Sequence, residues 1–135
     1  MIVDTSALLA FFDTDEPDHG AVAAVVETAT EPLVISPYVL AELDYLVGSR
    51  LGVSAELAVL RELAGGAWDL AAFGTEDLAQ ARAVVERYAD QSIGLADASI
   101  VVLAARYQTR TVVTLDRRHF GVVRPIDGGT FRILP

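Results

Sequence analysis

The chain has 135 residues, 53% of them hydrophobic, and a formal charge of −9 at pH 7. That length suits a single domain spanning residues 1–135 with ample core, and the acidity argues against general affinity for nucleic acid. Zero Cys excludes disulfides and thiolate metal sites; the absence of Lys excludes P-loop phosphate clamps, Schiff bases and the Asp–Lys pockets of receiver domains and haloacid phosphatases.

The opening "MIV" predicts a short buried strand, and "TSALLAFF" a helix capped by Asp4 or Thr5. A second helix fits "PDHGAVAAVVETA", with Pro17 near its first turn. "PLVIS" predicts a strand, after which Ser36 and Pro37 supply the cap and first turn of the helix "YVLAELDYLVGS". "SAELAVLRELA" predicts another helix, ended by Gly65 and Gly66. "WDLAAF" has strand character. "TEDLAQARAVVERYAD" predicts an amphipathic helix opened by a Thr cap with acids behind it. The helix "GLADASIVVLAARY", the strand "TVVTL", a loop around "DRRHFGVV" and a last strand at "FRIL" complete the chain. Apolar, non-alternating strands separated by helices indicate an α/β fold with a mainly parallel sheet covered on both faces.

The longest run without a charged residue or His is the ten residues "PLVISPYVLA", short of the roughly 18 apolar residues of a membrane-spanning helix. The start "MIVDTSALL" carries an acid where a signal peptide carries positive charge, so a cytoplasmic location is expected. Charge is unevenly spread. Residues 1–80 hold fourteen acids and two arginines, and residues 81–135 hold five acids and eight arginines. The second half therefore has room for an Arg-rich face, although Arg82 and Arg87 also fit a solvated helix beside Glu86.

Four acids stand out. Asp4 and Asp116 end strands, where parallel α/β sheets bind ligands. Glu42 and Asp97 interrupt apolar helices. Each also has a plainer explanation. Asp4 fits an N-cap and Asp116 the cap of a following turn. Asp97 lies in a first turn, where the helix dipole favours an acid. Glu42 fits an exposed position, since Asp44 is equally surrounded by apolar residues. A buried carboxylate must be neutral, paired or bound to a cation, and Asp97 has no base at helical spacing. Converging carboxylates repel one another, and a hard divalent ion such as Mg²⁺ or Mn²⁺ relieves that with all-oxygen ligands. Phosphodiester hydrolysis is the natural chemistry of such a centre.

The segments "MIVDTSALLAFF", "SPYVLAEL", "GLADASIVVLAA" and "TVVTLDRRHF" resemble the four acidic motifs of PIN-domain ribonucleases, with the nearest likeness to VapC-type toxins of bacterial toxin–antitoxin pairs. The likeness implies a three-layer α/β/α sandwich and a Mg²⁺-dependent endoribonuclease whose acidic positions are Asp4, Glu42, Asp97 and Asp116. Asp4, Asp97 and Asp116 would ligate metal, and Glu42 would complete the shell or act on water. Thr5 and Ser6 would orient water or a carboxylate, and Thr114 would support its loop. Many relatives carry a further acid two residues after the fourth; here Arg118 stands there, which leaves the number of ions open. Arg117, Arg118 and His119, with Arg106, Arg110 and Arg124, are candidates for RNA contact. The resemblance further implies a homodimer, a cognate antitoxin that silences the site, and a heterotetramer or larger complex, with no membrane partner. Rival readings are a non-catalytic PIN-like binding module, a structure-specific nuclease of the same fold, and a metal-dependent phosphomonoesterase with a closed pocket.

Overall fold

A computed structural model describes all 135 residues. Five short strands form one sheet: β1 (Ile2–Val3), β2 (Val34–Ile35), β3 (Asp69–Leu70), β4 (Thr111–Val113) and β5 (Arg132–Leu134). Their order is β3-β2-β1-β4-β5 and every neighbouring pair is parallel. Ile2 and Val3 of the central strand are completely buried, with Val34, Ile35, Val112 and Val113 beside them. Strands wetted on neither face have no polar positions to alternate, hence the unbroken apolar runs.

Seven helices flank the sheet: α1 (Thr5–Phe12), α2 (His19–Glu27), α3 (Pro37–Leu51), α4 (Val53–Leu63), α5 (Thr75–Arg87), α6 (Leu95–Arg106) and α7 (Arg117–Val122). The arrangement is an α/β sandwich. One cluster of thirty buried hydrophobic residues runs through it, and α6 supplies six of them, Ala98 and Ile100–Ala104, with the buried Ser99 between. A helix buried on all sides shows no amphipathic stripe, which is why "ASIVVLA" reads as uniformly apolar. Gly52, at φ +88°, lets the chain turn from α3 directly into α4. No helix is long and apolar enough to cross a membrane.

Several expectations change at the ends of elements. The segment "DRRHFGVV" is largely the short helix α7 rather than a loop, because the Asp116 carboxylate accepts the His119 N–H at 2.9 Å and caps its first turn. The N-cap of α5 is Gly74, not Thr75, and its N–H donates to Asp77 Oδ2 at 2.9 Å. Asp18 caps α2, leaving Pro17 outside the helix. "WDLAAF" contributes only the two-residue edge strand β3, which has a partner on one side alone.

β2 and β3 lie to one side of β1, and β4 and β5 to the other. The chain therefore reverses its direction of progress between β1 and β4. At such a switch point the connections leave toward opposite faces and open a crevice beyond the strands' carboxyl ends. The segments immediately after β1 and β4 flank that crevice, and they carry Asp4 and Asp116.

Candidate functional site

Asp4, Glu42, Asp97 and Asp116 line one cavity of about 540 Å³ at this crevice, together with Thr5, Ser6 and His119. Four elements far apart in sequence bring them there: the end of β1, the second turn of α3, the first turn of α6 and the cap of α7. The plainer roles of Asp4 and Asp116 hold at the same time. Asp4 caps α1, with its side chain accepting from Ser6 N, and Asp116 caps α7. Capping fixes where a carboxylate sits, and the switch point determines what it faces.

Asp4 is 6% exposed, and its carboxylate is oriented through a single oxygen. Oδ2 accepts from Ser6 Oγ at 2.6 Å, from Thr114 Oγ1 at 2.7 Å and from Ser6 N at 3.4 Å, whereas Oδ1 accepts nothing. The same hydroxyls hold the segment after β4: Ser6 Oγ accepts from Leu115 N at 3.0 Å, and Thr114 Oγ1 accepts from Asp116 N at 2.9 Å. Two small polar residues thus tie the two strand-end acids into one unit. Below it, Ser36 and Ser99 meet at 2.5 Å, fully buried, and join the start of α3 to α6. Ser99 Oγ also donates to Ala96 O at 2.6 Å, so Ser36 supplies the proton between the two hydroxyls. This contact fixes the helix carrying Glu42 against the helix carrying Asp97.

Electrostatics match the crowding. Burial, then the nearby charge of Asp4, pushes the Asp97 carboxyl up to about 6; Asp116 adds to the rise, while His119 and a hydrogen bond from Gly94 oppose it. Burial and Asp4 also raise Glu42. His119 Nδ1 lies 3.2 Å from Asp97 Oδ2 and 3.0 Å from Asp116 Oδ2, so both oxygens face a common point. His119, expected in an RNA-facing loop, thus sits on α7 between two of the four acids. The carboxylates do not already converge as three ligands on a preformed coordination point. They rest on internal partners: hydroxyls for Asp4, the imidazole for Asp97 and Asp116.

The donor set suits a hard divalent cation. It is all oxygen, Asp4 keeps a free oxygen, and Thr5, a lining residue, has a buried Oγ1 with no hydrogen-bond partner. No arginine is paired with any of the four acids.

The arginines lie differently from expectation. α6 runs away from the crevice, and Arg106 at its last turn pairs with Asp77 of α5 at 2.9 Å and donates to Ala72 O at 2.6 Å. Arg110, just before β4, pairs with Asp127 at 2.9 Å at the end of β4 opposite Asp116. Neither is near the four acids. Arg117 donates to Pro135 O at 2.6 Å, Arg118 and Arg124 are exposed, and none of the three lines the cavity. Two lining residues escaped sequence reasoning, Glu16 and Arg50. Arg50 was legible in principle, because Glu42, Leu46 and Arg50 repeat every four residues on α3. Glu16 sits in the connection between α1 and α2, where no periodicity reports its direction.

The model of the PIN domain family matches residues 1–124. Over 135 residues the chain is 62% identical to Ribonuclease VapC26 of Mycobacterium tuberculosis, covering 100% of both chains. Among solved structures, the sarcin–ricin-loop-cleaving toxin VapC20 of M. tuberculosis superposes with a TM-score of 0.85 at 18% identity, over 99% of this chain and 98% of that one. VapBC2 of Rickettsia felis, solved bound to a DNA fragment from its promoter, gives 0.71 at 15% identity over 99% and 98%. At those identities the structures speak for the fold, which is this one. Full-length identity and the family match speak for descent: the chain belongs to the PIN-domain family, among its VapC-type members.

Proposed function

We propose that this protein is a divalent-metal-dependent endoribonuclease, using Mg²⁺ or Mn²⁺, and the toxin of a toxin–antitoxin pair in the cytoplasm. The observation that carries the reading is the convergence of Asp4, Glu42, Asp97 and Asp116 on one cavity with no arginine paired to any of them. The 62% identity to a protein named a ribonuclease supports RNA as the substrate.

Asp4, Asp97 and Asp116 are the residues that would hold the ion, Asp4 through the oxygen its hydroxyl partners leave free. When bound, a divalent ion supplies charge stabilisation at a phosphoryl oxygen and an acidified water. The chain's own groups do the rest. Ser6 and Thr114 keep the Asp4 carboxylate from turning away. Glu42, whose carboxyl is raised by burial and by Asp4, takes a proton from the attacking water or completes the ligand set. With water as nucleophile in place of the ribose 2′-hydroxyl, the products carry 5′-phosphate and 3′-hydroxyl ends. Thr5 Oγ1, buried and unpartnered, is the nearby donor suited to orient that water. His119 lines the site on the α7 side, and Arg117 and Arg118, which precede it on α7, would meet backbone phosphates beyond the cavity.

An antitoxin partner fits the surface of the α3–α4 pair, where Tyr45, Val53 and Leu57 are 72%, 67% and 58% exposed. α1, in contrast, puts its apolar excess into the core. Homodimer formation, and a heterotetramer or larger complex with the antitoxin, belong to the same proposal.

The test is cleavage of total RNA by the wild type and by Asp97→Asn, each with Mg²⁺ and with chelator. Cleavage by the wild type in Mg²⁺ alone is expected. Equal cleavage in all four reactions would remove the metal-dependent reading.

A further inference from the structure

We infer that Arg50 grips an RNA phosphate beyond the scissile one; this rests on the nuclease reading above. Arg50 is the one arginine among the fifteen residues lining the cavity, whose other ionised walls are Asp4, Glu16, Glu42, Asp97 and Asp116. It follows Glu42 by eight residues on α3, on the same face and about 12 Å further along the axis. That distance is too great for both residues to serve one phosphate.

Arg50 is also free, as Arg61, Arg118, Arg124 and Arg132 are, but of these it alone lines the cavity. Arg82, Arg106 and Arg110 are closed into ion pairs, and Arg117 onto a carbonyl. The Arg50 guanidinium has neither an ion pair nor a hydrogen bond, although Glu16 and Glu42 line the same cavity. A purely structural arginine beside two acids would be expected to close on one of them. Left open, its planar donors remain available for a bidentate phosphate contact.

Between the two charged stations the wall is apolar. Leu46 lies one turn from Glu42 and one turn from Arg50, and Leu9 and Leu95 line the cavity as well. The order along the wall is therefore acid, apolar, base. A polynucleotide offers the matching order: the phosphate being cut, a sugar and base, then another phosphate.

The experiment uses a fluorescence-quenched oligoribonucleotide spanning a site that the wild-type protein cuts in total RNA with Mg²⁺. KM and kcat are measured across a salt series for the wild type, Arg50→Ala, Arg50→Gln and Arg50→Lys, with thermal melts as the folding control. Loss of one phosphate contact on a single strand flattens the slope of log KM against log salt by about 0.7. The expected result for Arg50→Ala and Arg50→Gln is that flatter slope, a KM raised about tenfold at the lowest salt, and kcat within about twofold of wild type. Arg50→Lys recovers the slope and part of the KM. Unchanged KM and slope in both neutral variants overturn the role of Arg50 and leave the nuclease reading standing. A fall in kcat alone, not restored by Lys, marks a merely structural residue and overturns it too. Absence of any cleavage by the wild type overturns both.

Discussion

Thr114 Oγ1 donates to Asp4 Oδ2 at 2.7 Å, binding the segment after β4 to the residue after β1 across 110 positions of sequence. The bond is buried, and its geometry decides which oxygen of Asp4 faces the cavity. Thr114→Val keeps the shape and removes the donor. Partners behind a metal ligand typically matter 10- to 100-fold. Cleavage by Thr114→Val should fall by that order and need more Mg²⁺ for half-activity, with stability lowered by about 1–3 kcal/mol because Asp116 N loses its partner as well. A Mg²⁺ titration superimposable on wild type would show that Asp4 needs no such orientation.

Asp97→Asn should abolish cleavage and yet stabilise the ion-free protein. The Asp97 carboxyl, ordinarily near 3.8, is raised to about 6 in the fold, first by burial and then by Asp4. The folded chain therefore binds this proton more tightly than the unfolded chain does. The favourable contribution is complete below about pH 4 and is lost as pH rises through about 6. Allowing for solvent screening, the loss is of order 1–2 kcal/mol. In chelator, the melting temperature of Asp97→Asn should exceed wild type at pH 7.5 and converge with it toward pH 4. A wild type as stable as the variant at pH 7.5 would contradict the burial of this charge.

Glu42→Gln separates two roles. If Glu42 takes the proton, single-turnover rates should drop by about 10² to 10⁴ and lose an ionisation above the ordinary Glu range, with the Mg²⁺ requirement unchanged. A ligand role would instead raise the Mg²⁺ needed for half-activity and restore rate at high Mg²⁺. Unaltered rates at every pH and Mg²⁺ concentration would leave Glu42 with no part in the site.

Ser36 caps α3 and meets Ser99 of α6 in the core. Ser36→Ala loses a cap and the buried hydrogen bond to Ser99, which together cost about 1–3 kcal/mol. Denaturant melts should report that loss with the slope of the transition kept. Cleavage should also fall, because α3 carries Glu42 and α6 carries Asp97. Full stability in Ser36→Ala would mean the pair contributes nothing to holding the two helices.

Arg118 and Arg110 provide a contrast. Arg118 is exposed at the α7 side of the site, whereas Arg110 is engaged by Asp127 and Gly128 O at the opposite end of the sheet. Arg118→Ala should weaken RNA binding and flatten its salt slope by about 0.7. Arg110→Ala should leave the slope alone and cost less than about 1 kcal/mol of stability, as exposed ion pairs do. The opposite pattern would put the RNA on the other end of the molecule.

Much of this was readable along the chain. Buried parallel strands leave continuous apolar runs, so "MIV", "PLVIS" and "TVVTL" announced β1, β2 and β4. The four acids stood out because water-excluded surroundings make an unpaired charge costly wherever it occurs, and that cost is a local property of sequence. Boundaries were read less well. Asp116 is followed by two arginines and a histidine, which look like a polar loop. Only the bond from His119 N to the Asp116 carboxylate turns them into α7.

What sequence could not supply was direction across the fold. Arg106 and Arg110 lie close in number to Asp97 and Asp116, yet α6 runs away from the cavity and β4 runs toward it, so neither arginine reaches the cavity. Arg50, eight residues from Glu42, and Glu16, twelve from Asp4, do come to the cavity wall. Residue type and spacing determined which groups this protein would bring out of water and which elements would carry them. Strand order and helix direction decided which of those groups meet, because contact depends on distances that the folded chain closes and the extended chain does not.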